Sequence, residues 1–390
     1  MPDPIRYRFP PDTLFASALR AIQRHPVKCL SGWSPRFGVL DSGRLQARCS
    51  GKELRGHILR AISLGHGWHD ETTPSVLLAA AAAVCLANST KLTLPGISRI
   101  TQLTGSSLEA LDLTNQFVVT DAHIADVTRA CPGLRVLSLV GCRKVTGASI
   151  ESLLMLPRLA FADFGGCFNV APDDVSQLLR RHKNAAGFTG LGLSGLAGSD
   201  LLKDVTKLTG GLTWLSLGYS LASAADLLGA ASANPQLAGL FLQWCEGAND
   251  ILVGDLSSTC PNLYHLDVTG CKGVTNVGIL ALIPSLQCVA SATTLTAIHV
   301  DVASPGARKW DLDETEWLDF ALRCARAREA ETLSSVPTME KDVDMVGGDD
   351  YELQVRSRGR LRILAAKHSG ATRAVAEQLN RMGAVLQLLL

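Results

Sequence analysis

The chain has 390 residues, of which 47% are hydrophobic, 19% charged and 5% aromatic, with mean hydropathy +0.18. That is enough apolar side chain for a large core and excludes disorder as the dominant state. A net charge of +1, from 37 Lys+Arg against 36 Asp+Glu, excludes a chain built mainly to coat nucleic acid or an anionic membrane.

The N-terminal residues MPDPIRYRFPPD contain prolines and aspartates and no hydrophobic stretch, which is wrong for a secretory signal. A cytoplasmic location is expected, with the cytoskeleton as one setting. Residues 1–60 hold eleven Lys/Arg against four Asp/Glu, so the mitochondrial matrix is the alternative. Outside the secretory route the eleven cysteines are expected to be reduced thiols. Asp12 opens a helical pattern with Leu14, Phe15, Ala18, Leu19 and Ile22 on one face. Val76 to Ala87 is the longest uncharged apolar run, and at twelve residues it falls short of the roughly 20 that span a bilayer. It is predicted to be a capping helix started by Thr73 and Pro74, so residues 1–90 read as a basic segment and helical cap. LTLPG from Leu92 reads as a weak first strand.

From Leu108 onward one frame, LxxLxLxx(C/x), recurs. It reads LEALDLTNQ from Leu108, LRVLSLVGC from Leu134, LAFADFGGC from Leu159, FTGLGLSGL from Phe188, LTWLSLGYS from Leu212, LAGLFLQWC from Leu237 and LYHLDVTGC from Leu263, and a truncated LQCVAS from Leu286 closes the series. The starts are 23 to 29 residues apart, a period that belongs to solenoids. In each unit the last two apolar positions lie two apart and share one side of a strand: Leu215 and Leu217 point inward, Trp214 and Ser216 outward. A helical stretch comes next, as in VTDAHIADVTRAC, VTGASIESLLML and VTNVGILALI, with Thr120, Thr146 and Thr275 placed as N-caps. One strand and one helix cannot bury their own apolar faces, so the units must stack into a curved parallel sheet with helices on its convex side.

The Cys-Pro-x-Leu pairs at Cys131 and Cys260, with cysteines ending the frame at Cys142, Cys167, Cys245 and Cys271, resemble the cysteine-containing subtype of leucine-rich repeats. This subtype is similar to what is found in F-box leucine-rich proteins and antagonist-of-mitotic-exit-like proteins. The resemblance covers about residues 105–291 and implies protein recognition without catalysis. Leu196 and Ser220 stand where the cysteine would be. The expected fold is an α/β leucine-rich-repeat solenoid over residues 91–300.

Residues 311–352 carry thirteen Asp/Glu against four Lys/Arg. Within them Glu316 to Thr332 reads as an amphipathic helix with Trp317, Ala321 and Ala325 on one face, and Ser334 to Asp350 as a flexible acidic linker, so residues 301–350 form a helix and linker. Alternation from Tyr351 to Ile363 around Ser357-Arg358-Gly359-Arg360 predicts a hairpin, and Ala371 to Leu390 a helix. Residues 351–390 are thus expected to form a small basic ββα module.

No site of chemistry stands out. Gly190-Leu-Gly192-Leu-Ser-Gly195 spells GxGxxG, but it occupies a repeat strand and has no acidic residue near the required spacing, so no nucleotide cofactor is expected. His66 and His69 beside Asp70 and Glu71 offer ligand types, yet the flanking Gly65 and Gly67 suggest a loop, and Cys-x-x-Cys is absent from the sequence, so no metal is expected. The adjacent pair Asp267 and His265 is the nearest thing to a catalytic couple; polar pairs are usual on such surfaces, and a non-enzyme is expected.

The predicted concave column is more informative. Phe161, Asp163, Trp214, Phe241, Gln243, His265 and Asp267 face outward from the strands, with Tyr219 and Trp244 just beyond them, and aromatics grouped on a rigid sheet are the composition of a binding hot spot. These nine residues are the candidate protein-binding site; the competing reading is that the chain's own C-terminal segment covers them. Arg356, Arg358, Arg360 and Arg362 would share one hairpin face and bind an acidic partner. The function expected is a non-enzymatic interaction scaffold within a larger multi-protein assembly. The alternatives are an F-box-like ubiquitin-ligase substrate adaptor, for which Pro11-Asp12-Thr13-Leu14 is a faint motif, and a subunit touching RNA through its basic termini.

Overall fold

The computed structural model describes Trp68, residues 81–281 apart from Tyr264, the pair Thr296–Ala297, the helical positions 318, 321, 322, 325 and 326, and the strand Leu361–Ala365. Within it the chain is an α/β leucine-rich-repeat solenoid. Eight short strands alternate with helices: β1 (Ala83–Cys85), α1 (Leu94–Thr104), β2 (Ala110–Asp112), α2 (Asp121–Ala130), β3 (Val136–Ser138), α3 (Ser149–Leu153), β4 (Phe161–Asp163), α4 (Pro172–Arg181), β5 (Gly190–Gly192), α5 (Ser199–Leu208), β6 (Trp214–Ser216), α6 (Ala224–Ser232), β7 (Gly239–Phe241), α7 (Asp250–Thr259), β8 (His265–Asp267) and α8 (Asn276–Ala281). All eight strands pair in parallel, each with the next, in a register that never slips. Ala110, Val136, Phe161, Gly190, Trp214, Gly239 and His265 therefore form one row, and Leu111, Leu137, Ala162, Leu191, Leu215, Leu240 and Leu266 the next.

Counting each unit from the first residue of its LxxLxL frame, the fourth and sixth positions point into the core, as the spacing predicts. Leu215, Leu217, Leu240, Leu242, Leu266 and Val268 are fully or almost fully buried there. The ninth position forms a polar ladder. The thiols of Cys142, Cys167, Cys245 and Cys271 donate to the carbonyls of Leu113, Leu139, Leu217 and Leu242, each in the preceding repeat, at 2.9–3.1 Å. Gln116 fills the same place in β2's repeat and reaches Leu86 O at 2.6 Å, while Ser220 turns to Ala197 O. Burial raises three of these thiols, Cys245 to about 11 and Cys271 to about 12, with Cys142 further still. Those three are protonated near neutral pH and poor nucleophiles.

Two expectations at the N-terminal end are corrected. Val76 to Ala87 does not form one capping helix, because Ala83–Cys85 is the first strand, with Val84 and Leu86 in the two core positions. Alanine-rich sequence favours helix locally, but the open edge of β2 offers hydrogen bonds and burial that outweigh that weak preference. The stretch from Leu92 opens a helix: Pro95 lies in the first turn of Leu94–Thr104, where its missing N–H matters least.

Thr120 precedes α2, but its hydroxyl does not cap the helix and lies 2.7 Å from His123 Nδ1 instead. Thr146 and Thr275 tie repeats together: the backbone N–H and hydroxyl of each donate to Asp121 and Asp250, the first residues of α2 and α7 in the preceding repeats, at 2.6–2.8 Å.

The C-terminal end departs from the expected hairpin. Leu361–Ala365 (β10, with Thr296–Ala297 as β9) pairs in parallel with β8 on one side and β9 on the other, and so enters the solenoid sheet out of chain order. A hairpin would pair antiparallel with its sequence neighbour; here the open edge of β8 takes Ile363–Ala365 in parallel instead. Arg362 lies in β10, in register with Ala297, while Arg356, Arg358 and Arg360 lie outside the described residues, as do Asp12 to Ile22, His66, His69 and the LQCVAS run.

Candidate functional site

Concave positions alternate large and small along the sheet. Phe161, Gly190, Trp214 and Gly239 follow one another in the third position, and the bare glycines leave room for their neighbours' rings: a Cβ on Gly190 would come within 2.0 Å of the Phe161 ring. Trp214 stacks on Phe241 with ring centroids 4.7 Å apart and lies tilted 5.9 Å from Phe161. The outward aromatics of these strands thus form one apolar platform.

It is covered from within. Phe161, Trp214 and Phe241 are only 1–2% exposed and share a second hydrophobic cluster with Leu318, Ala321, Leu322 and Ala325. Those four residues, at i, i+3, i+4 and i+7, are one face of a helix, and the groove they fill is also lined by Cys85, Ala87, Ala110, Val136 and Ala160. Ala321 and Ala325 belong to the apolar face expected from the sequence; Trp317 lies outside the described residues. Arg326 closes the contact with two hydrogen bonds to Glu109, at 2.6 and 2.9 Å, and Arg135 donates to the same carboxylate at 2.6 Å. The Arg326 hydrogen bond is the main influence holding Glu109 below its usual pKa. As an anchor set for a foreign partner, Phe161, Trp214 and Phe241 are thus corrected: burying them against the chain's own leucines removes the apolar surface that made them candidates.

The polar members have local duties. Asp163 accepts from Gly165 N at 2.9 Å and Asp267 from Thr269 N at 2.9 Å, as Asp112 does from Thr114 N. In each case a fifth-position carboxylate braces the turn that leaves the strand. Gln243 donates to Asp267 at 2.6 Å. Beside Asp267, His265 holds its place in β8.

Tyr219 and Trp244 behave differently. Each stands eighth in its frame, where the chain turns out of the strand while its N–H still donates to the next repeat: Tyr219 to Gln243 O at 2.6 Å, Trp244 to Thr269 O at 2.7 Å. That geometry puts the eighth residue of every repeat in the left-handed region. The eight are Asn88, Asn115, Gly141, Gly166, Gly195, Tyr219, Trp244 and Gly270, with φ between 56° and 81°. Six are glycine or asparagine, which tolerate it; a bulky aromatic there is strained. Tyr219 and Trp244 are nonetheless 58% and 43% exposed. Trp244 leans over Gly270, where a Cβ would come 2.4 Å from its ring, just as Asn115 leans over Gly141.

Around them runs an exposed apolar rim that the sequence reading did not single out. Phe117, Phe168 and Leu221 occupy the tenth position of their repeats and are 48%, 71% and 79% exposed. The guanidinium of Arg143, the tenth residue of the intervening repeat, lies 5.5 Å over the Phe117 ring. A signal was available: the tenth position reads Phe, Arg, Phe, Ala, Leu, Glu, Lys from Phe117 to Lys272, and of its apolar members only Ala197 turns into the core.

Among the described residues no group of three or more His, Cys, Asp or Glu could hold a metal ion, and no helix is long and apolar enough to cross a membrane. The chain matches no family model and no curated protein. Among solved structures it is similar in fold to the yeast Rad7 and Elc1 complex, at 13% identity and TM-score 0.45 over 69% of this chain and 72% of that one. It is also similar to the leucine-rich repeat-containing protein LegL7 from Legionella pneumophila, at 15% identity and TM-score 0.37 over 66% and 83%.

Proposed function

We propose that this chain is a non-enzymatic protein-interaction scaffold, a subunit of a larger assembly whose partner docks on the loop rim beside the filled concave groove. One observation carries the reading: two adjacent repeats place exposed aromatics, Tyr219 and Trp244, at left-handed positions that the other six repeats give to glycine or asparagine. Strain of this kind costs on the order of 1–3 kcal/mol per residue and is concentrated at functional positions. Large rigid aromatics are also the side chains that dominate protein interfaces. Raised, ineffective thiol nucleophiles and aspartates engaged in turns leave the surface suited to recognition more than to chemistry.

The test is affinity purification from cells with the intact chain and with Tyr219→Asn/Trp244→Asn, a pair that installs the residue used at Asn88 and Asn115. Loss of the companions without loss of melting temperature supports the reading. Companions retained by the double variant would overturn it. If the companions carry the machinery of a ubiquitin ligase, the adaptor role is the form the scaffold takes.

A further inference from the structure

The rim carries a charge pattern that specifies its ligand. On the turns between strand and helix the exposed charged residues are Lys91, Arg143, Lys144 and Lys272, against Glu246 alone. The opposite sign lines the groove, where Glu109, Asp112 and Asp163 are engaged at short range by arginine or backbone N–H groups. The four cations lie in the first, third and eighth repeats and so flank, at either end, the row made by Phe117, Phe168, Leu221 and the Tyr219–Trp244 pair, and successive repeats advance by about 4.8 Å, the spacing of neighbouring strands.

We propose that the rim binds an acidic segment of another protein that presents large apolar side chains between its carboxylates. This rests on the scaffold reading and names the partner's chemistry. Bases flanking an apolar row select against basic and neutral segments, because desolvating a lysine or arginine without a counter-charge is unfavourable. A single nucleic-acid strand is the other ligand for bases interleaved with aromatics, and the observations favour protein. Leu221, the most exposed of these apolar side chains, has no ring on which a base could stack, and an excess of three positive charges over eight repeats is small for tracking a phosphate backbone.

The experiment selects a random-peptide display library on the immobilised full chain, then titrates the recovered peptides against wild type, Tyr219→Asn/Trp244→Asn and Arg143→Glu/Lys144→Glu. Recovered peptides should be rich in Asp and Glu around at least two large apolar residues. Their affinity should fall about tenfold or more with either variant and should weaken as salt rises. Phe168→Ser/Leu221→Ser, which alters side chains outside the core, should show the same loss if the aromatic variant proves poorly folded.

Peptides that need Tyr219 and Trp244 but carry no negative charge would overturn the acidic-ligand inference and leave the scaffold reading standing. Peptides indifferent to both variants would overturn the two together. Failure to recover any peptide, or tighter binding of an oligouridine strand than of any peptide, also overturns the proposal. So does a synthetic peptide of residues 334–350 outcompeting every recovered sequence, which would assign the rim to the chain's own acidic stretch.

Discussion

Repeats six and seven each carry two aromatic surfaces, one on the concave side and one on the rim, and the two sides have opposite fates. Trp214 and Phe241 are sealed under Leu318 and Leu322, whereas Tyr219 and Trp244, five and three residues further along the chain, are exposed on strained backbone. Trp214 sits on a flat strand with glycines on either side, a hollow that an amphipathic helix fills. Tyr219 and Trp244 sit where the chain turns out of the strand, on left-handed backbone, and stay 58% and 43% exposed. An outward position is thus a statement about the strand alone, and whether it meets water depends on what the rest of the chain lays over it.

The contrast can be broken in order of expected effect. Leu217 lies behind both surfaces, fully buried between stacked repeats, so Leu217→Asp should unfold several neighbouring units, a loss above about 4 kcal/mol. An unchanged melting temperature would mean that the inward register is wrong.

Trp214→Ala should lower stability by about 3–5 kcal/mol, the usual effect of emptying a buried aromatic site, while Trp244→Ala should change it by less than about 1 kcal/mol, because lost packing on Gly270 and relieved strain oppose one another. Equal melting shifts for the two would erase the distinction between groove and rim.

Leu322→Asp should detach the helix more than it unfolds the sheet. A helix that can release its seat limits the loss to about the burial of one leucine, roughly 2–3 kcal/mol. Hydrogen exchange should then rise at Leu318, Ala321, Leu322, Ala325 and Arg326 while the strands stay protected; deprotection of the strands to the same extent would show that the helix is integral to the core.

Tyr219→Asn with Trp244→Asn should leave stability unchanged or raise it by up to about 1 kcal/mol, as measured by chemical denaturation. A marked loss would mean that these rings are structural.

The smallest effect concerns acid. Glu109 titrates below its unfolded value because Arg326 and Arg135 hold it charged, so its contribution is complete above the ordinary glutamate range and is lost as the pH falls through the depressed folded value. Since Arg326 is partly exposed, the pair is worth no more than about 1 kcal/mol. Acidification should loosen the helix before the repeats melt, seen as a change in tryptophan emission that Glu109→Gln abolishes; an identical acid transition in that variant would remove Glu109 from the account.

The repeat frame, the core positions and the recurrence of cysteine at the frame's end were legible because period and spacing are local: Leu215 and Leu217 point inward for reasons contained in five residues. The first repeat was not, since Ala83-Val84-Cys85 lacks the leucines of the frame and its composition favours helix. Only the edge of β2 makes it a strand. The candidate site divided the same way. The aromatic character of Trp214, Phe241, Tyr219 and Trp244 and the stacking of the first two could be read from the frame, whereas their exposure could not.

The sequence by itself determined the solenoid, its period, and which side chains each strand turns away from the core, because those depend on side-chain alternation and on the inability of one unit to bury its own apolar face. Only the tertiary structure decided that Leu318, Ala321, Leu322 and Ala325 fill the concave groove and that Leu361–Ala365 enters the sheet beside β8. Each of these joins segments tens to hundreds of residues apart, and such contacts are chosen by shape, open hydrogen-bond edges and charge partners that no local pattern encodes.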